Sequence, residues 1–217
     1  RQNTFNKENT MTYDFDDGSK TNNDSSTGPY INWHARETRD GAITSRSFSI
    51  RDEDGERIDI TDQFKKPGVA IKISDLATGW CYSDGSPGVA PLWDMNDTPA
   101  KFKPQPADRG DERWKKGFII PVVVKQNGVS VSTIWSQDGA GAFEGLKSLM
   151  ESMKKLEGDG EVCLAAMTGV DEITYKKGGT SAPIFTAKKW IEIPDCLKDS
   201  AAEIVTAKEE VDVDDEF

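Results

Sequence analysis

The sequence predicts a mainly β domain built as a small five-stranded barrel, with one helix between the third and fourth strands. Three observations predict it. Apolar residues alternate along much of the middle of the chain, as at Val69, Ile71 and Ile73, the spacing of a strand that buries one face. Asn127-Gly128 stands between two such runs, and Asn-Gly suits a two-residue hairpin turn because both central residues need positive φ. From Gly139 to Leu156 the pattern changes: Phe143, Leu146, Leu149, Met150, Met153 and Leu156 recur at three- and four-residue steps, the stripe of an amphipathic helix.

Taken in order, residues 1–28 are rich in Asn, Asp, Ser, Thr and Gly, with Phe5, Tyr13 and Phe15 as sizeable apolar groups, and predict a flexible arm pinned by those rings. Tyr30 to Arg36 and Ala42 to Arg51 alternate around the turn signal Asp40-Gly41, which predicts a β-ribbon added at one edge, outside the barrel. Glu56 to Ile60 adds a short strand. Past Lys66-Pro67-Gly68 the barrel begins, running from Val69 through Leu76 and Trp80 to Tyr82. Ser83 to Arg113 is then a long connection with Pro87, Pro91, Pro99, Pro104 and Pro106, and loops of that length are uncommon unless they are functional or disordered.

Gly117 to Lys125 and Val129 to Ser136 form the hairpin around Asn127-Gly128, and Gly158 and Gly160 end the helix that follows. Glu161 to Met167 and Ile184 to Ile193 are two further strands, joined by a basic connection containing Tyr175, Lys176, Lys177, Gly178 and Gly179. Strand, long loop, strand, tight turn, strand, helix, strand, basic loop, strand is the order of an OB-fold, an order that other small barrels and mixed sheets share. The chain therefore divides into an arm at 1–28, a body at 29–198 with its barrel core at 69–193 and insertion loop at 83–113, and an acidic tail at 199–217.

Charge separates the tail from the body. The 217 residues carry a net charge of −11, yet 199–217 alone hold eight acids against Lys208, and 1–28 hold five acids against three basic residues. The body is left at −2, so the acidity of the whole does not exclude a nucleic-acid surface on it. An apolar share of 35% is low for a fully packed chain and agrees with long loops and tails. Cys81, Cys163 and Cys196, with the single His34, make neither a disulfide framework nor a zinc spacing, which predicts a reducing, cytoplasmic setting. No apolar run approaches the roughly 18–20 residues that span a bilayer, and nothing at the start resembles a signal peptide.

Catalysis is poorly supplied. G-x-S-x-G, the phosphate loop, G-x-G-x-x-G and H-E-x-x-H are all missing, and His34 stands on a strand-like segment. Asp52, Glu53, Asp54 and Glu56 lack the spacing of a calcium loop. The expectation is a protein that is no enzyme and uses no metal or cofactor. Binding is better supplied, because a single nucleic-acid strand needs cations for its phosphates and flat rings for its bases. Aromatic and basic residues interleave at Trp80 and Tyr82; at Trp93, Lys101, Phe102 and Lys103; at Arg113, Trp114, Lys115 and Lys116; at Lys125 and Trp135; and at Tyr175, Lys176 and Lys177. Lys188, Lys189 and Trp190 repeat the pattern. Against this, six tryptophans in a chain of this size mostly serve packing, and alternation does not decide which way Trp135 or Trp190 faces.

The last residues are Glu209, Glu210, Val211, Asp212, Val213, Asp214, Asp215, Glu216 and Phe217. Acids this dense repel one another and stay solvated, while a terminal ring beside a carboxylate suits an apolar pocket rimmed by basic groups. With the stretch Arg113-Trp114-Lys115-Lys116-Gly117-Phe118-Ile119-Ile120-Pro121-Val122-Val123-Val124-Lys125, this ending resembles the single-stranded DNA-binding proteins of bacteria and tailed phages. No proline precedes the final Phe, and the body carries a large insertion, so the phage type is the nearer likeness.

The resemblance implies a sequence-tolerant binder that protects single-stranded DNA. It also implies recruitment of replication, recombination or repair proteins through Asp212, Asp214, Asp215, Glu216 and Phe217. A homodimer is compatible with it, and no membrane is involved. The alternative is a protein-interaction or virion-assembly module that binds no nucleic acid.

Overall fold

The structure, a computed structural model, describes residues 30–38, 41–51, 56–83, 91–107, 114–175 and 178–198. Along them run β1 (Tyr30–His34), β2 (Ser47–Arg51), β3 (Arg57–Asp59), α1 (Thr61–Lys65), β4 (Val69–Lys72), β5 (Ala77–Tyr82), β6 (Leu92–Met95), β7 (Trp114–Gln126), β8 (Val129–Asp138), α2 (Ala140–Met153), β9 (Val162–Tyr175), β10 (Gly178–Ile191) and α3 (Asp195–Lys198). The protein is mainly β. Its strands join in one open sheet of order β10-β9-β4-β7-β8-β1-β2-β3, with β5 paired to β7 and β6 paired to β5.

The Asn127-Gly128 hairpin forms as expected, both residues at positive φ, and it joins β7 to β8 from Gln126↔Val129 to Gly117↔Asp138. The N-terminal ribbon forms and stands at one edge of the sheet, as expected, with β1 and β2 paired from Ile31↔Ile50 to His34↔Ser47, and it also contributes to the core. β1 pairs in parallel with β8 through Tyr30↔Ile134 and Ile31↔Trp135. Side chains also tie this region to β10: the Trp33 indole N–H donates to the Ser181 carbonyl at 3.0 Å, and Ser181 Oγ donates to the Ala35 carbonyl, just past β1, at 3.3 Å. The physical reason is burial: Ile31, Trp33, Phe48 and Ile50 are each at most 3% exposed and sit in the main core.

Two connections also differ from expectation. The long segment after Tyr82 contains β6, paired with β5 from Gly79↔Met95 to Tyr82↔Leu92. The basic connection near Tyr175 shrinks, because β9 and β10 pair all the way from Val162↔Ile191 to Tyr175↔Gly178. Their outer halves carry exposed residues such as Asp171, Glu172 and Thr174, so no apolar alternation marks them as strand.

The core is aromatic at its centre. Phe48 stacks on Phe64 with centroids 3.9 Å apart, and Trp135, 0% exposed, meets Phe118 at 4.8 Å, Phe48 at 5.3 Å and Phe185 at 5.8 Å. α2 lies against β10 through glycines: a methyl group on Gly141 would overlap the Ser181 carbonyl oxygen, and one on Gly145 would sit 2.6 Å from Pro183 Cγ. Further along the helix, Ser148 Oγ accepts the Phe185 N–H at 3.0 Å and Ser152 Oγ accepts the Ala187 N–H at 2.8 Å, so α2 covers backbone donors at the end of the sheet.

Gly141→Ala tests that packing. Ala would gain about 0.5–1 kcal/mol in helix propensity, while overpacking against backbone costs about 1–3 kcal/mol. The clash is with a carbonyl that cannot rotate away, so net destabilisation is expected, read as a lower denaturant midpoint at unchanged m. A midpoint at or above wild type would show that α2 has room to shift off β10.

Candidate nucleic-acid interface

β5 and β7 pair with Trp80 opposite Lys116, Cys81 opposite Lys115 and Tyr82 opposite Trp114. Cross-strand partners share a face, so the Trp80 ring and the Lys116 stem stand together. The segment after β6 returns over them. Trp80 Nε1 donates to the Lys103 carbonyl at 3.0 Å, Lys103 N–H donates to Asn96 Oδ1 at 3.0 Å, and Thr78 Oγ1 donates to the Pro99 carbonyl at 2.9 Å. Asn96 Nδ2 in turn donates to Thr78 Oγ1 at 2.7 Å. These bonds hold Phe102 beside Trp80, centroids 5.7 Å apart at 79°.

The start of α2 completes the group. Gly139 N–H donates to the Lys116 carbonyl at 3.2 Å, which brings the first turn of the helix to the end of β7. Phe143 then meets Phe102 edge-on at 5.5 Å. Lys116 Nζ lies 4.7 Å from the Phe102 centroid and 5.7 Å from that of Trp80, and Lys147 Nζ lies 5.5 Å from that of Phe143. All of these distances fall within the roughly 6 Å over which a cation is drawn to a ring face. Trp80, Phe102 and Phe143 are all half-buried. Phe143 and Lys147 were hidden in sequence by the helical stripe; a cation four residues after a ring, one turn away on the same side of the helix, is the signal that would have found them.

The other expected residues scatter. Lys101 is exposed beside the cluster, and Lys103 pairs with Asp94 at 3.3 Å. Lys115 is exposed on the opposite face of β7 and pairs with Asp138 at 3.3 Å. Lys125 lies nine residues along β7 from Lys116, ~30 Å at a strand's rise per residue, and its backbone bonds to the Gln63 side chain. Tyr175 is 46% exposed at the end of β9.

Four expected stacking residues are corrected by burial. Trp135 is a core residue at 0% exposure, Trp93 is 3% exposed, Trp114 7% and Tyr82 8%, so none offers a free ring face. Trp93 packs against Gly117, where a methyl group would come within 2.7 Å of its ring, and joins Cys81 and Ile119 in a small cluster. Tyr82 and Trp114 pack on each other at 5.5 Å. The indole N–H groups of Trp93 and Trp114 are buried without hydrogen-bond partners among the described residues. Arg113, Lys176, Lys177, Asp212, Asp214, Asp215, Glu216 and Phe217 lie outside the described residues.

Burial pushes the Cys81 thiol up to about 12, with Asp138 adding to the rise and Lys115 opposing it, so it stays a neutral thiol. His34 Nε2 lies 2.7 Å from Ser49 Oγ, but Ser49 is 2% exposed and its hydroxyl is closed to a substrate. Among the described residues no group of three or more His, Cys, Asp or Glu is placed to hold a metal ion, and no helix is long and apolar enough to cross a membrane. No protein-family model, curated protein or solved structure matches the chain.

Proposed function

We propose that the protein is a sequence-tolerant binder of single-stranded DNA, and that the cluster of Trp80, Phe102, Phe143, Lys116 and Lys147 is where the strand is held. The observation that carries this reading is three half-buried rings with the exposed Lys116 ammonium over two of them and that of Lys147, which also pairs with Glu144, over the third. Every base has a flat face, so ring stacking tolerates any sequence and is worth roughly 1–3 kcal/mol per base, while lysines supply the salt-dependent attraction to phosphates. The body is proposed to be OB-fold-like, with β4 and β5 as one bent first strand, β7 to β10 as the rest, and β1 to β3 added at the free edge of the third strand. Element order and the site of α2 between β8 and β9 support this. The acidic segment 199–217 is proposed to recruit replication, recombination or repair proteins, as in the single-stranded DNA-binding proteins of tailed phages that the chain resembles.

Titration of tryptophan emission with poly(dT) and with duplex DNA, at two salt concentrations, tests the reading. Poly(dT) is expected to change the emission, with an affinity that falls as salt rises, and duplex DNA to act far more weakly. Equal responses to both polymers, or none, would remove it.

A further inference from the structure

A pair of arginines, accompanied by two glutamates, lies outside the aromatic cluster. Where β1 and the lead-in to β2 meet the β9–β10 hairpin, Arg36, Glu37, Arg46, Glu172, Gly179 and Thr180 line an open groove of about 320 Å³. Arg46 is held there in an unusual backbone state. Its φ is +62°, a left-handed conformation that costs a branched or bulky residue energy and that Gly or Asn adopts more readily. The Arg46 N–H donates to the His34 carbonyl at 2.6 Å, and its guanidinium pairs with Glu172 at 2.6 Å with both side chains more than half exposed. Arg36 makes one exposed bond, to the Gly179 carbonyl at 3.2 Å. A strained arginine at an open groove is the kind of outlier that accompanies function, because nothing in packing asks for a guanidinium there.

The first turn of α2 touches both sites. Thr180, on the groove wall, lies against Gly141, and Phe143, one of the three rings, sits two residues further along the same helix. A strand laid on Trp80, Phe102 and Phe143 would have to pass that turn to reach the groove.

Resting on the proposed single-stranded DNA reading, we propose that this groove is a phosphate subsite that extends the strand's path, with Arg36 and Arg46 gripping backbone phosphodiesters. The Glu172 carboxylate holds the place of a phosphate on Arg46 until the strand displaces it. An arginine fork matches phosphate oxygens as it matches carboxylate oxygens, so the exchange keeps Arg46 paired. A pair this exposed contributes little to stability, which makes the carboxylate easy to displace.

The test uses the full chain and a (dT) oligonucleotide of about 20 nucleotides, longer than the roughly 4–16 that one OB-type body covers. Arg46→Gly is the cleanest variant, since Gly adopts positive φ at no steric cost and the melting temperature should hold or rise. Its affinity is expected to fall about 3- to 10-fold, and the salt slope to shrink by about 0.7 for each phosphate that is no longer neutralised. Arg36→Ala should do the same and serves alone if Arg46→Gly loses stability. Glu172→Gln should act in the opposite sense, tightening binding about 2- to 5-fold by vacating Arg46. If the wild type binds and all three variants match it in affinity and salt slope, the groove is not on the path, while the ring cluster keeps its assignment. If the wild type does not bind the oligonucleotide at all, the functional reading falls and the groove with it.

Discussion

Phe102→Leu combined with Lys116→Glu is expected to lower affinity for poly(dT) by about 100-fold, the largest loss that any pair of surface changes in this protein should produce. Losing one stacking face removes roughly 1–3 kcal/mol, and reversing a charge beside a bound phosphate both deletes an attraction and adds a repulsion. The salt slope should fall by about 0.7 or more, since fewer counterions are released. Leu keeps most of the apolar volume that Phe102 places against Trp80 and Phe143, and Lys116 is exposed, so the fold should survive with only a small shift in melting temperature. The two single variants should not sum to the double. Lys116 Nζ sits 4.7 Å from the Phe102 ring, so each change already weakens what the other contributes, and a double-mutant cycle should show the coupling. A double variant that binds as the wild type does would take the strand away from this cluster.

What could be seen in the chain depended on how local the physics was. The β7–β8 hairpin and α2 were legible because Asn127-Gly128 and the stripe from Phe143 to Leu156 act within a few residues of themselves. The strand that the N-terminal ribbon joins was not, because pairing of Ile31 with Trp135 joins residues about a hundred positions apart and no nearby spacing encodes it. The outer halves of β9 and β10 were invisible for another reason: with Asp171, Glu172, Thr174 and Gly179 exposed, neither face shows an apolar period, and a register shift between Ile184 and Phe185 separates them from the inner halves. At the candidate site, the interleaving of Trp80, Phe102 and Lys116 with other rings and cations marked the right stretches without telling exposed rings from packed ones. Trp93, Trp114 and Trp80 look alike in sequence; only the cross-strand partner and the face it occupies separate them.

Trp135→Ala should show the reverse signature of the Phe102 and Lys116 pair. The ring is 0% exposed amid Phe48, Phe64, Phe118 and Phe185, and removing a buried Trp leaves a cavity too large for its neighbours to close, at a cost of about 3–5 kcal/mol. For a chain of this size each kcal/mol lowers the melting temperature by about 2–4 °C, so a fall on the order of 10 °C or more is expected. Gln137 would lose one donor, the Trp135 indole N–H at 3.1 Å, but would keep its two bonds to the Trp33 backbone, so β1 should stay attached to β8. Trp135→Phe, which keeps a ring and gives up that N–H, should cost less, about 1–2 kcal/mol. Below the melting point, the folded fraction of either variant should bind poly(dT) within about 2-fold of wild type, because the stacking energy belongs to rings that bases can reach. A variant that melts near the wild-type temperature yet loses most of its affinity would mean that Trp135 swings out to meet the strand, and the division between packed and open tryptophans would then have to be redrawn.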